Sequence, residues 1–242
     1  MNPIALITGA TAGIGRSTAL KLAGNGYDVI ITGRRRERLD QVRETLENRY
    51  ATRAYALNFD IRDKNEVFRA IDGLPEAWKH IGVLVNNAGL AVGLDHIQQG
   101  EIDDWERMID TNVKGLLYIT RKIAPLMIEN GNGHILNVAS IAGHEVYENG
   151  NVYCATKHAV EALSKAMRID MLKQQIKVTN ISPGMVETEF SLVRFKGDQE
   201  KAKKAYQGFT PLTGDDVAEV VWFAINQPPH VNLNNIEITA TD

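Results

Sequence analysis

Short, nearly continuous apolar runs alternate along the chain with longer segments in which apolar residues recur every three or four positions. The runs at 4–8, 28–32, 53–57, 82–86, 134–139, 177–182 and 235–239 have the length and composition of strands. Most lack a polar face, which predicts parallel strands covered on both sides. Helical periodicity occupies 13–25, 35–49, 64–71, 102–130, 151–173 and 214–227. Strand–helix alternation at this spacing implies βαβ units with right-handed crossovers. The expectation is an α/β fold: one doubly wound parallel sheet of about seven strands, with helices on both faces.

One stretch departs from the alternation. Residues 187–213 are rich in charge, including Lys201, Lys203 and Lys204, and carry Phe190, Phe195, Tyr206 and Phe209. They read either as a solvated surface helix or as a substrate lid over a cleft, since long insertions in compact domains are often functional. Nothing else resembles a linker or a repeat, so residues 1–242 are expected to form a single domain.

Composition narrows the function. With 27 Lys and Arg against 30 Asp and Glu, the net charge is −3, which lacks the basic excess of a nucleic-acid binder. The single cysteine, Cys154, excludes an internal disulfide and suits a reducing compartment. The six histidines show no ligand spacing, so no metal is expected. There is no targeting signature and no apolar run of membrane-spanning length. A cytoplasmic protein with a small-molecule substrate is the expectation.

The chemistry begins at the first strand–helix junction, Gly9-Ala10-Thr11-Ala12-Gly13-Ile14-Gly15. Glycines there permit a tight turn and close approach of backbone to a pyrophosphate, which the following helix start would hold by its free N–H groups and positive dipole end. This is a Rossmann-type arrangement with Gly-x-x-x-Gly-x-Gly spacing. The end of the second strand selects the cofactor. A site for NAD usually places a carboxylate there for the ribose 2′-hydroxyl. This chain has Arg34 and Arg35 instead, followed by Arg36, which is expected to face solvent. Guanidinium groups bind a 2′-phosphate, so NADP(H) is favoured.

Tyr153 and Lys157 stand four residues apart, one above the other on a helix face. A free phenol is too weak an acid for base work near neutrality, and a neighbouring ammonium would lower its pKa. Ser140 ends an apolar strand at the carboxyl edge of the sheet, where its hydroxyl could meet a substrate oxygen. Asn112 lies within the long helical pattern at 102–130, where asparagine is a mediocre helix former.

The glycine turn, Asn86-Asn87-Ala88-Gly89, Asn112, Ser140, Tyr153-x-x-x-Lys157 and Pro183-Gly184 together resemble the short-chain dehydrogenase/reductase family over essentially the whole chain. The resemblance implies an oxidoreductase of CH–OH groups in which Tyr153 is the acid/base. It implies that Ser140 orients the substrate oxygen, that Lys157 holds the nicotinamide ribose, and that Asn112 supports a water chain to Lys157. It places Asn87 along the cofactor, Asp60 and Ile61 beside the adenine, and the stretch 183–191, with Pro183, Gly184, Val186 and Thr188, against the nicotinamide. It also implies a homotetramer with the helices near 102–130 and 151–173 at an interface.

Further segments, among them Thr32-Gly33-Arg34-Arg35, Met108-Ile109-Asp110-Thr111-Asn112 and Val193-Arg194-Phe195-Lys196-Gly197-Asp198, resemble the NADP-dependent 3-hydroxy acid dehydrogenase branch, which includes serine 3-dehydrogenases and malonic semialdehyde reductases. Its members oxidise the 3-hydroxyl of small acids such as L-serine, allo-threonine and 3-hydroxypropionate. A substrate carboxylate calls for a cation. Arg194 and Lys196 are candidates for that clamp or else plain surface charges; His144, Glu145 and Tyr147 are candidates to line the pocket. The rival readings are a reductase of 3-oxoacyl thioesters or bulkier ketones, with the same catalytic set, and an NADP-sensing protein without chemistry.

Overall fold

The computed structural model describes residues 2–241. Seven strands, β1 (Ile4–Ile7), β2 (Asp28–Gly33), β3 (Ala54–Asn58), β4 (Ile81–Asn86), β5 (Gly133–Val138), β6 (Ile176–Pro183) and β7 (Asn235–Ile238), fall within one residue of where the apolar runs place them. They form one sheet in the order β3-β2-β1-β4-β5-β6-β7, and every pairing is parallel. The chain runs outward from β1 in one direction through β2 and β3, then crosses back to lay β4 on the other side of β1. That reversal opens a crevice beyond the carboxyl ends of β1 and β4.

Alternate residues of each central strand enter opposite cores, which explains the missing polar face. Leu6, Ile30, Leu84 and Ile135 pack on one side with α3 (Lys64–Asp72), α5 (Leu116–Glu129) and α6 (Asn151–Asp170). Ile7, Val29, Ile31, Val83 and Val85 pack on the other with α1 (Gly13–Gly24), α2 (Arg36–Tyr50) and α9 (Gly214–Ile225). Asn86 is buried between these layers, donating to Thr120 Oγ1 at 3.0 Å and Asn137 Oδ1 at 2.8 Å. It ties β4 to β5 and α5.

One segment differs from expectation, and the 187–213 stretch takes a definite form. The helix expected over 102–130 is interrupted: α4 (Ile102–Ile109) passes into a π-helical stretch, Asp110–Gly115, before α5. Within that stretch the Asn112 side chain leaves its own helix and pairs with the backbone of Leu90, accepting from its N–H and donating to its C=O, both at 2.8 Å. Such insertions are common at functional sites. Residues 187–213 fold into two short helices, α7 (Glu189–Arg194) and α8 (Gln199–Lys204). Tyr206 returns this excursion to the body, its hydroxyl meeting Ser191 Oγ at 2.6 Å and donating to the Val186 carbonyl at 3.0 Å.

Candidate active site

A cavity of about 350 Å³ fills the crevice at the carboxyl ends of β1, β2, β4 and β5. Gly9 and Gly13 lie in the left-handed region, at φ +67° and +51°, where glycine alone is unstrained. A side chain at Gly15 would collide with Asn87 Nδ2, 2.4 Å from an ideal Cβ. That amide nitrogen donates to the Thr8 carbonyl at 2.8 Å, and Thr8 Oγ1 accepts from the N–H groups of Asn87 and Ala88 at 3.0 and 2.9 Å. The turn and the 86–89 segment are therefore locked together. Of the expected turn residues, Gly9, Thr11, Ala12, Gly13 and Ile14 line the cavity, whereas Ala10 and Gly15 are buried behind them. Helix α1 starts with no side-chain cap and no acidic residue in its first turn. Its orphan N–H groups and positive dipole end face the cavity.

The end of β2 forms the next wall. Gly33 has no Cβ because the Thr11 methyl would stand 2.7 Å from one. So placed, Thr11 Oγ1 accepts from Arg35 Nη2 at 2.7 Å. Arg34 and Arg35 both line the cavity, as do Phe59, Asp60 and Ile61. Arg34 lies 3.6 Å from Asp60, whose carboxylate also takes the fork of Arg62. Burial pushes the Asp60 pKa up, but the hydrogen bonds and charge of Arg62, with the charge of Arg34, outweigh it and hold the carboxyl below its ordinary value. Arg36 faces solvent, as expected, 4.0 Å from Asp40.

On the opposite wall, α6 brings Tyr153 and Lys157 into the cavity beside Ser140. Both are almost wholly buried, at 8% and 6% exposure. Lys157 Nζ donates to the Val138 carbonyl at 2.9 Å and stands 5.9 Å from the centre of the Tyr153 ring. Burial pushes Lys157 down to about 8. The phenol departs from the expectation that the ammonium lowers it: burial raises Tyr153 above its ordinary value, and the Ser140 hydrogen bond only partly offsets this. Desolvation disfavours the phenolate more than the neighbouring groups favour it.

Asn112 does not line the cavity. Besides gripping Leu90, it donates to Thr156 Oγ1 at 3.0 Å, and that hydroxyl donates to the Tyr153 carbonyl at 2.8 Å. It thus fixes α6 where Tyr153 and Lys157 project. Between Asn112 and Lys157 lies Gly89, where a Cβ would stand 3.3 Å from Asn112 Oδ1 and 3.5 Å from Lys157 Nζ. Glycine keeps that space open.

The two cations offered for a substrate carboxylate separate clearly. Lys196 is bound to Asp104 at 2.7 Å, away from the phenol, and acts as a surface charge. Arg194 lies over the Tyr153 ring, 5.4 Å from its centre, and over Tyr147, 5.3 Å away, whose hydroxyl accepts from its Nη2. Its Nε is buried without a hydrogen-bond partner. Phe190 packs edge-on to Tyr153 from the same helix, with centroids 5.7 Å apart. His144 and Glu145 do not line the main cavity; His144 lies between Glu161 and Glu237, 3.6 and 2.8 Å from their carboxylates. Pro183, Gly184, Val186 and Thr188 line the cavity near Ser140, as does Asn87.

The short chain dehydrogenase family model matches residues 3–198. The chain belongs to the short-chain dehydrogenase family. This dehydrogenase is 47% identical over 236 residues to an NADP-dependent 3-hydroxy acid dehydrogenase, YdfG, of Salmonella typhi, covering 97% of this chain and 94% of that one. It is 43% identical to sulfoacetaldehyde reductase 2 of Chromohalobacter salexigens, covering 100% and 95% of the two chains. The closed form of a serine dehydrogenase complexed with NADP+ superposes with a TM-score of 0.93 at 45% identity, covering 98% of this chain and 94% of the other. The oxidoreductase class and the NADP(H) preference expected from Arg34 and Arg35 agree with these relatives.

Sequence reasoning missed Arg38 at the arginine wall and Val193 at the opposite one; Glu189 and Phe190 fell within the 183–191 stretch expected against the nicotinamide, but the contact of Glu189 with the arginines was not foreseen. Arg38 was within reach, being three residues past Arg35 on one helix face. Among the described residues, no group of His, Cys, Asp and Glu side chains is placed to hold a metal, and no helix is long and apolar enough to cross a membrane.

Proposed function

We propose that this dehydrogenase is an NADP(H)-dependent oxidoreductase that interconverts the 3-hydroxyl and 3-oxo forms of a small acid, of the L-serine, allo-threonine or 3-hydroxypropionate/malonic semialdehyde type. The observation that carries the substrate class is Arg194: its guanidinium lies over the Tyr153 ring with its Nε buried and unpartnered, and it lines a small pocket that shares Tyr153 with the main cavity. A buried nitrogen without a protein partner keeps a donor available to a water or a ligand.

The cavity fits the cofactor on its own features. The uncapped α1 start and the left-handed glycines suit a pyrophosphate, and Thr11, Arg34 and Arg35 suit a 2′-phosphate. Bound there, NADP(H) supplies or takes up the hydride. Ser140 Oγ and the Tyr153 hydroxyl converge on the substrate oxygen. In reduction the buried phenol, held neutral by desolvation, donates its proton to that oxygen as negative charge develops. In oxidation it receives that proton. Lys157, anchored on Val138, holds the ribose and places its charge beside the phenolate. Asn112 sets the position of both through Thr156 and supports a water in the space that Gly89 leaves. Residues 187–213, which carry Phe190 and Arg194, act as the substrate lid. Exposed Leu117, Ile128, Ile169 and Leu172 on and beside α5 and α6 support the homotetramer, which sedimentation would test.

Turnover of L-serine, allo-threonine, 3-hydroxypropionate, malonic semialdehyde, sulfoacetaldehyde and an acetoacetyl thioester, each with NADP(H) and NAD(H), tests the reading. Small anions with NADP(H) are the expected substrates. Activity confined to the thioester would replace them, and no turnover at all would leave an NADP-binding protein. Arg194→Ala should raise KM for the acids roughly 10- to 100-fold while sparing an uncharged aldehyde of the same length. An unchanged KM removes the clamp.

A further inference from the structure

The arginines at the end of β2 are not free. Arg35 directs its Nε and Nη2 to Thr11 Oγ1, at 3.3 and 2.7 Å, and its Nη1 to Glu189 Oε2, at 2.7 Å. The other carboxylate oxygen of Glu189 accepts from Arg38. Glu189 therefore reaches across the crevice from α7 and lays a carboxylate on the guanidinium that lines the nucleotide end of the cavity. We propose that Glu189 is a built-in rival of the cofactor's 2′-phosphate for Arg35, and so a specificity-determining residue that tempers the preference for NADP(H).

A phosphate that takes Arg35 cannot avoid Glu189. Bidentate recognition needs two parallel N–H groups of one guanidinium. One fork of Arg35 is taken by Thr11 and the other ends on Glu189. A phosphate on the first fork displaces a neutral hydroxyl but brings two anions to one cation; on the second it displaces the carboxylate outright. Either route sets like charges against each other. The contest is uneven: Glu189 carries one charge and is 42% exposed, where ion pairs are weak and screened. A phosphate monoester carries nearly two charges and three acceptor oxygens, so it prevails at reduced affinity. An adenosine whose ribose has only hydroxyls makes no claim on Arg35 and leaves the pair intact. The arginine hydrogen bonds hold the Glu189 carboxyl below its ordinary pKa, so it is anionic wherever the enzyme is folded near neutrality.

The inference rests on the NADP(H) reading, and one experiment separates their failures. Adenosine 2′,5′-bisphosphate and adenosine 5′-monophosphate are titrated calorimetrically into the wild type, Glu189→Gln and Glu189→Ala, with melting curves to confirm folding. The expected result is that the bisphosphate binds the wild type more tightly than the monophosphate, and that both substitutions tighten the bisphosphate a further ~3- to 10-fold without changing the monophosphate. Equal binding of both nucleotides to the wild type overturns the NADP(H) reading and the proposal with it. A preserved preference that the substitutions leave unchanged, or weaken, overturns the rivalry alone, since Glu189 would then be idle or a support for Arg35. So does equal tightening of both nucleotides, which would reflect only the loss of a nearby charge.

Discussion

The two walls of the crevice handle charge in opposite ways. At the nucleotide wall, Arg34 and Arg35 are 52% and 45% exposed and sit in a web of carboxylates, with the open start of α1 beside them. At the catalytic wall, Tyr153 and Lys157 are buried, and burial moves both toward their neutral forms. A phosphate brings full charge of its own, so exposed cations and free N–H groups suffice to select it. Proton transfer needs a group whose ionisation is set by its surroundings, and at this wall desolvation is the largest influence. The same contrast divides two neighbouring helix starts. Helix α9 closes its first turn with a Thr213–Asp216 capping box, whereas α1, so close that a Cβ at Gly214 would stand 3.1 Å from the Gly13 backbone, leaves its N–H groups for a ligand.

The contrast is broken most severely at Tyr153. Tyr153→Phe should lower kcat about 1,000-fold with nucleotide affinity retained, measured by single-turnover kinetics and calorimetry; more than a tenth of the wild-type rate would dismiss the phenol as acid/base. Lys157→Met should lower kcat roughly 100-fold or more and yet raise the melting temperature of the cofactor-free protein. The sign follows from its pKa, about 8 when folded against 10.5 when unfolded. The unfolded chain holds the proton more tightly, so stability rises between those pH values and the buried ammonium is a standing penalty below about 8. A melting temperature that drops at pH 7 would refute that penalty. At the other wall, Arg35→Leu should raise KM for NADPH about 10- to 100-fold, less at high salt, and leave NADH unchanged; equal effects on both would deny it the 2′-phosphate. Smallest is Thr213→Ala, which should remove about 1 kcal/mol of stability in denaturant titrations and no cofactor affinity. Loss of affinity would show that the cap of α9 serves the site after all.

Much of this was legible beforehand because it is local. An apolar run buried on both faces can only be a central strand, and four-residue spacing on a helix aligns Tyr153 with Lys157 wherever that helix lies. Ser140 was legible from its strand end and Arg35 from the sign of its charge. The π-helical break was not, because the Asn112 side chain within it pairs with the backbone of Leu90, remote in sequence. Nor was the full roll of cavity-lining residues: Asn112 carries motif identity yet supports from behind, whereas Val193 lines the cavity without having been offered as a site residue.

Sequence by itself determined the sheet, the glycine turn, the arginines and the alignment of Tyr153 with Lys157, since periodicity, turn geometry and charge act over a few residues. Only the tertiary structure decided which cation attends the phenol, why that phenol is harder rather than easier to ionise, and that Glu189 meets Arg35 across the crevice. Those outcomes depend on burial and on where the 187–213 excursion comes to rest, and both are properties of the packed whole.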